Sequence, residues 1–222
     1  MFWEDIVTVV PPLVDESTSE VVEVWEEIAD DRSFTSEIET HLSRTSERPS
    51  ILHSNWRELL YVLVRIHEPT QVVETGVYDG LSSAYILKGL ERNGRGQLIS
   101  IDINDTTRLP SDIGDADAGW IVPDSLHQRW ERRYGDAIKL LPEAVTDAPP
   151  EIFLHDSLHT REHMRFELTT AVDAMQDGGI VVADNSRFNN EFRSITEEQF
   201  DEVSFWKNTK YAYKDGDKLT TG

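Results

Sequence analysis

The sequence predicts an α/β fold: a doubly wound, mostly parallel sheet with helices on both faces, preceded by a helical N-terminal extension. Three observations carry this reading. After Pro69, short apolar runs alternate with helix-patterned stretches, the rhythm of parallel strands joined by crossover helices. Before Pro69 the pattern is helical only. The length of 222 residues suits one ordinary domain plus an extension, and a hydrophobic content of 38% supplies a sizeable core.

The elements follow in order. The opening MFWEDIVTVVPPLV carries Glu4 and Asp5 and no basic leader, so it does not read as a secretion signal. From Ser17 to Arg44 two polar helices are expected; STSEVVEVWEEIADD sets Val21, Val24, Trp25 and Ile28 on one face behind a Ser/Thr start. RPS breaks the chain, and SNWRELLYVLVRIHEP forms the next helix, capped by Ser54 or Asn55 and ended before Pro69. The extension therefore spans residues 1–53 and the α/β domain 54–222. Within the latter, QVVETG, QLISIDI, RWERRYGD, EIFLHD and GGIVVADN are strands. GLSSAYILKGLERNG, AIKLLPEAV and TREHMRFELTTAVDAM are the helices between them, the first ending at Gly94. The tail offers two strand-like runs with a DGD turn, read as an antiparallel pair at the sheet edge.

Composition narrows the function. There is no cysteine, so disulfides and thiolate metal sites are excluded. The longest apolar runs, LLYVLV and GGIVVA, are core-sized and far short of a membrane span. The expectation is a cytoplasmic protein. With 42 acids against 21 bases the net charge is -21, which makes nucleic acid and anionic membranes poor partners without a basic patch. The acids are dispersed and Arg outnumbers Lys, a pattern expected of a halophilic protein whose self-repulsion is screened by salt.

The stretch QVVETGVYDGLSS holds the main motif. A dinucleotide fingerprint would need glycines where Tyr78 and Leu81 stand, and a phosphate-binding P-loop would need a lysine. What remains is acid-x-Gly-x-x-x-Gly: Glu74, Gly76 and Gly80. Gly76 permits a tight turn, Gly80 permits close approach of backbone to a ligand, and the Ser82 hydroxyl can hold a carboxylate. Asp102 ends the second strand, where an acid accepts hydrogen bonds from ribose hydroxyls, and Asp136 ends the third, where it can accept from an adenine amino group. The plainer alternative is that these acids cap helices.

Together, VVETGVYDGLSSAYIL, LISIDI, RYGDAIKLLPEA and DGGIVVADN resemble the successive motifs of class I S-adenosylmethionine-dependent methyltransferases, over roughly residues 54–185. The resemblance implies a Rossmann-like, seven-stranded-type sheet. It also implies that Glu74, Gly76, Gly80 and Ser82 surround the methionine and sulfonium, that Asp102 holds the ribose, and that Asp136 lies near the adenine. GDA, LLPEA and ADN are similar to the small O-methyltransferases related to catechol and caffeoyl-CoA enzymes, in which matching positions bind a divalent metal. The long insert NDTTRLPSDIGDADAGWIVPDSLHQ departs from that pattern and leaves the acceptor open.

Methyl transfer needs a nucleophile in line with the sulfonium, about 3 Å from the methyl. Asp156 ends the fourth strand and Asp184 and Asn185 end the fifth; three hard oxygen donors there suit Mg²⁺. The lysine that often follows the strand-four acid in that family is missing. His159, three residues after Asp156, is a candidate general base. HTREH also matches H-x-x-E-H, a zinc-peptidase pattern of His159, Glu162 and His163, but five residues match easily by chance. His155 and His163 are expected to be structural, as are Trp25, Trp56 and Tyr61, while Trp120 and Trp206 line a pocket or pack. The expected activity is methyl transfer from S-adenosylmethionine to an oxygen of a small molecule or glycan, with the N-terminal helices as lid or homodimer surface. The alternatives are a metal-independent N- or carboxyl-methyltransferase and a non-catalytic S-adenosylmethionine-binding partner protein.

Overall fold

Four helices precede the first strand. In the computed structural model, which describes residues 3–14, 16–43, 56–108, 115–186, 189–200, 213–215 and 218–220, they are α1 (Trp3–Val14), α2 (Thr18–Ala29), α3 (Arg32–Leu42) and α4 (Trp56–His67). Ser17 starts α2 through a capping box: its hydroxyl accepts from the Glu20 amide, and Glu20 accepts from the Ser17 amide at 3.1 Å. The helix α1 was not expected, because Pro11 and Pro12 lie inside it. An internal proline removes a backbone donor and costs about 3 kcal/mol. Burial of Ile6, Val9 and Val10 offsets that cost. The cap expected at Ser54 or Asn55, the RPS break and Trp206 lie outside the described residues.

The sheet then builds from β1 (Gln71–Thr75), α5 (Leu81–Asn93), β2 (Gln97–Asp102), β5 (Trp130–Tyr134), α6 (Ala137–Asp147), β6 (Ile152–His155), α7 (Arg161–Ala174), β7 (Ile180–Ala183) and α8 (Glu191–Gln199). Two short strands, β3 (Thr106–Arg108) and β4 (Asp115–Asp117), form an antiparallel pair inside the insert, followed by a 3₁₀ turn at Asp124–Arg129. Strand order is β5-β2-β1-β6-β7, with every neighbouring pair parallel. The chain runs outward from β1 through β2 to β5, then returns to β6 on the other side of β1. The carboxyl ends of β1 and β6 therefore open a crevice at the switch point.

The seven-stranded expectation is corrected to five strands in the main sheet among the described residues. In the tail, β8 (Tyr213–Asp215) and β9 (Lys218–Thr220) pair antiparallel as anticipated, but with each other in a separate two-stranded sheet, not along an edge of the main one.

Strand side chains alternate between two cores. Val72, Leu98, Ile152 and Leu154 join the helices α1–α5 in one, and Val73, Ile99 and Phe153 join α6, α7 and α8 in the other. The N-terminal helices thus share the first core with the sheet. Phe34 of α3 meets Tyr85 of α5 edge-on at 5.2 Å, Asp31 binds Arg92 at 2.9 Å, and Tyr61 donates to Glu27 at 2.8 Å. Trp25 donates to Glu58 at 2.6 Å and Trp56 is buried, so these aromatics serve packing as expected.

Candidate active site

The turn after β1 is set by Gly76, whose φ of 86° lies in the left-handed region. A Cβ there would meet the Asp156 carbonyl oxygen at 2.1 Å, so only glycine lets the turn pack directly on the loop that carries Asp156. Gly80 starts α5 with φ 89°, but its bare face is turned to the chain: a Cβ would lie 2.6 Å from the Gly119 Cα. Gly80 thus lets the start of α5 pack closely on the insert. The Gly119 amide donates to the Tyr78 carbonyl at 2.9 Å and the Ile121 amide to that of Asp79 at 3.0 Å. His41 Nδ1 lies 2.9 Å from the Ile121 carbonyl and ties α3 to the same segment. Trp120, in that segment, packs half-buried against the first core.

Asp102 stands at the carboxyl end of β2. Its Oδ2 accepts from the amides of Val77 and Tyr78 at 2.7 and 3.1 Å, and its Oδ1 from the Asn104 amide at 2.9 Å. The carboxylate holds the first turn in place and keeps unused acceptor capacity, since a carboxylate has about four lone-pair sites. Asp136 caps α6 by accepting from the Ile138 amide at 3.0 Å, the plainer of its two anticipated roles. Ser82 is buried at the start of α5.

Glu74 differs from expectation. It is 0% exposed, between Ser83 of α5, which donates to it, and Ser100 of β2, which donates to Oε1 at 2.6 Å. It lies one residue before the end of β1, closed off from solvent. Burial pushes its pKa up to about 7, against the pull of the two hydroxyls.

The large apolar side chains exposed among the described residues are Tyr78, Ile103, Tyr134, Ile138 and Leu158. Tyr134 ends β5, and the others follow the carboxyl ends of β1, β2, β5 or β6, so all five lie at the carboxyl edge of the sheet.

On the other side of the crevice stand Asp156 and Asp184, brought level because the Asp156 amide donates to the Thr75 carbonyl and the Asp184 amide to that of His155, both at 2.9 Å. Asp156, His159 and Asp184, all half-buried, each present one ligand atom within 4.8 Å of the others. Burial and the adjacent Asp184 raise the Asp156 pKa well above the ordinary carboxylate range, opposed by the Arg57 guanidinium on α4. Burial and His155 depress the His159 pKa, so its ring is neutral at pH 7. Asn185, at φ 49°, donates its side-chain amide to Asp184 Oδ2 at 3.0 Å. The structure thus joins Asp156 and Asp184 as anticipated, adds His159 to them, and sets Asn185 behind Asp184.

The H-x-x-E-H reading does not match this geometry. Glu162 is exposed, and His163 Nε2 bonds Glu167 Oε1 at 2.7 Å. Glu167, wholly buried, was not singled out from sequence because three of its partners, Thr75, His155 and Ser157, lie outside its helix.

Residues 73–186 match the model of a family described as a methyltransferase domain. A cofactor-bound protein of MTB has a similar structure, with TM-score 0.52 at 16% identity, over 78% of this chain and 72% of that one. So does an O-methyltransferase from Klebsiella pneumoniae described as putative, with TM-score 0.51 at 17% identity, over 72% and 68%. The O-methyltransferase TomG from Streptomyces achromogenes, solved with SAM, gives 0.50 at 18%, over 78% and 72%. At these identities the likeness is one of fold. No curated protein matches the chain.

Proposed function

The chain belongs to the methyltransferase-domain family, and from that premise we propose that it moves the methyl group of S-adenosylmethionine to a hydroxyl oxygen of a small molecule. The observation that carries the reading is the meeting of Asp156, His159 and Asp184 beside the Gly76 turn.

The residues suit the cofactor. The Asp102 carboxylate retains acceptor sites for ribose hydroxyls, and Ile103, Tyr134 and Ile138 offer apolar surface around it. Asp136, next to them, lies on the adenine side. Bound there, S-adenosylmethionine supplies an electrophilic methyl group on a sulfonium.

The second cluster supplies what the acceptor needs. His159, kept neutral by burial, takes the proton of the acceptor hydroxyl at a ring nitrogen. Asp156 and Asp184 would hold a divalent cation such as Mg²⁺, with Asn185 bracing Asp184; such an ion lowers the pKa of a hydroxyl that it touches. The crowding of two carboxylates, which raises the Asp156 pKa, is what a cation there would relieve.

Two measurements test this. S-adenosylhomocysteine should bind in titration calorimetry, and Asp102→Ala should weaken it by about 1.5–3 kcal/mol, the scale of hydrogen bonds to a charged group. Equal affinity in the variant, or tighter binding of NAD, sinks the cofactor assignment. Against a panel of diols, catechols and glycans, excess chelator should abolish turnover with little change in S-adenosylhomocysteine affinity. Asp184→Asn should behave like chelation, with partial rescue by added metal. Turnover unaffected by both treatments makes the enzyme metal-independent, and His159→Ala should then cost about 10²–10⁴-fold in rate.

A further inference from the structure

Behind the acceptor-side cluster lies a polar network that the proposed chemistry does not use. Its centre is Glu167 on α7, with 0% of its side chain exposed. Four donors surround the carboxylate: Thr75 Oγ1 at 2.6 Å, His155 Nδ1 at 2.5 Å, Ser157 Oγ at 2.9 Å from both oxygens, and His163 Nε2 at 2.7 Å. Four donors match the roughly four lone-pair sites of a carboxylate, so it is saturated from within the protein. These bonds hold its pKa down to about 2, against the opposing effect of burial. An anion this deep, with every lone pair engaged, is a costly feature for mere packing.

The partners show what it is for. Thr75 is the last residue of β1, directly before Gly76. His155 is the last residue of β6, directly before Asp156, and Ser157 directly follows it. His163 lies in the first turn of α7, which closes the loop bearing His159. One carboxylate therefore clamps both sides of the crevice at their strand ends. It also fixes the His155 ring by bonding Nδ1, and that ring meets the His159 ring edge-on at 5.3 Å and 78°.

We propose that Glu167 is a positioning residue: by gripping Thr75, His155, Ser157 and His163 it sets the loop of Asp156 and the ring orientation of His159. It touches no substrate. The inference rests on the methyl-transfer reading for the purpose of the clamp, but the geometry it asserts stands apart from that reading.

The test uses the full chain labelled with ¹⁵N at histidine. Glu167→Gln preserves size and burial but turns one acceptor oxygen into a donor facing hydroxyl and imidazole donors. The His159 ring resonances should shift and split into more than one environment. Because buried donors are left without an acceptor, the melting temperature should fall; the S-adenosylhomocysteine affinity of the folded variant should stay near wild type, and with an acceptor kcat should fall at least tenfold with KM changed less than twofold. Thr75→Val, which is isosteric and deletes one donor at the end of β1, should move the His159 signals in the same direction by less. It also decides the matter if Glu167→Gln does not fold. His159 resonances that coincide with wild type in the folded variants overturn the proposal. So does a fall in kcat matched by an equal loss of S-adenosylhomocysteine affinity, which marks a purely structural role. Failure of the wild type to bind S-adenosylhomocysteine counts against the methyl-transfer reading alone, since the ring signals decide the clamp without a ligand.

Discussion

Glu74 and Glu167 are both wholly buried carboxylates under the same crevice, yet their surroundings push them in opposite directions. Glu167 has four donors and is held down to about 2; Glu74 has two hydroxyls on Oε1, while Oε2 lies buried without a hydrogen-bond partner, and it is pushed up to about 7. A carboxyl whose folded pKa is raised takes up its proton more readily in the folded state. Its contribution to stability is thus full below the ordinary value near 4.5 and is lost as pH rises through about 7. The shift corresponds to about 3 kcal/mol at 1.36 kcal/mol per pKa unit. Glu74→Gln, a neutral isostere, should therefore flatten the fall in stability between pH 5 and 8, read from urea unfolding at each pH. An unchanged pH profile would mean that Glu74 is ionised at low cost. What the sequence made legible at this scale were acids at strand ends, because the period of the strands fixes where each one stops: Asp102, Asp156 and Asp184 all stand where they were expected. Glu167 was illegible because its partners, Thr75, His155 and Ser157, lie 92, 12 and 10 residues away and are gathered only by packing.

Elements with a clear period were readable, such as α5, which ends at Gly94 in the left-handed conformation that glycine accepts without strain. The exceptions have physical causes. In α1 two prolines argue locally against a helix, and the burial that overrides them belongs to the tertiary structure. The pair β3–β4 has three residues a side, too short for alternation to show. Sequence division at residue 53 also implies helices that could act as a lid. Yet Phe34 and Ile38 of α3 sit in one core with Leu60, Val72 and Leu90. Phe34 packs edge-on against Tyr85 and under the Lys88 ammonium at 5.8 Å. If α3 is part of that core, Phe34→Ala should cost about 3–5 kcal/mol through lost transfer energy and the cavity left behind. Unfolding in urea should remain a single transition seen alike by tryptophan fluorescence and circular dichroism. A cost below about 1 kcal/mol, or an early separate transition, would instead describe a lid that comes away from the sheet.

For the molecule as a whole, the governing quantity is a net charge of -21 on 222 residues. Two salt effects of opposite sign compete. Ion pairs such as Arg95–Glu68 and Arg193–Glu197, at 4.0 and 3.8 Å, weaken as salt rises. Pairs of this exposed kind contribute about 0–1 kcal/mol each, so their loss is small. Repulsion among the surplus acids is spread over the molecule and weakens at the same time, which stabilises the compact state. Screening acts in stages: the Debye length is about 10 Å at 0.1 M and about 3 Å at 1 M. Neighbouring surface carboxylates 5–10 Å apart, on the order of one helix turn to one helix diameter, are thus only half relieved at 0.1 M. The melting temperature should accordingly keep climbing in KCl well beyond 0.1 M and level off toward molar salt. Chloride is the anion to use, since sulfate strengthens apolar burial in any protein and would confuse the cause. A melting curve that is flat from dilute buffer to molar KCl would show that the repulsion is already balanced by local pairing, and that the acidic composition is no adaptation to salt.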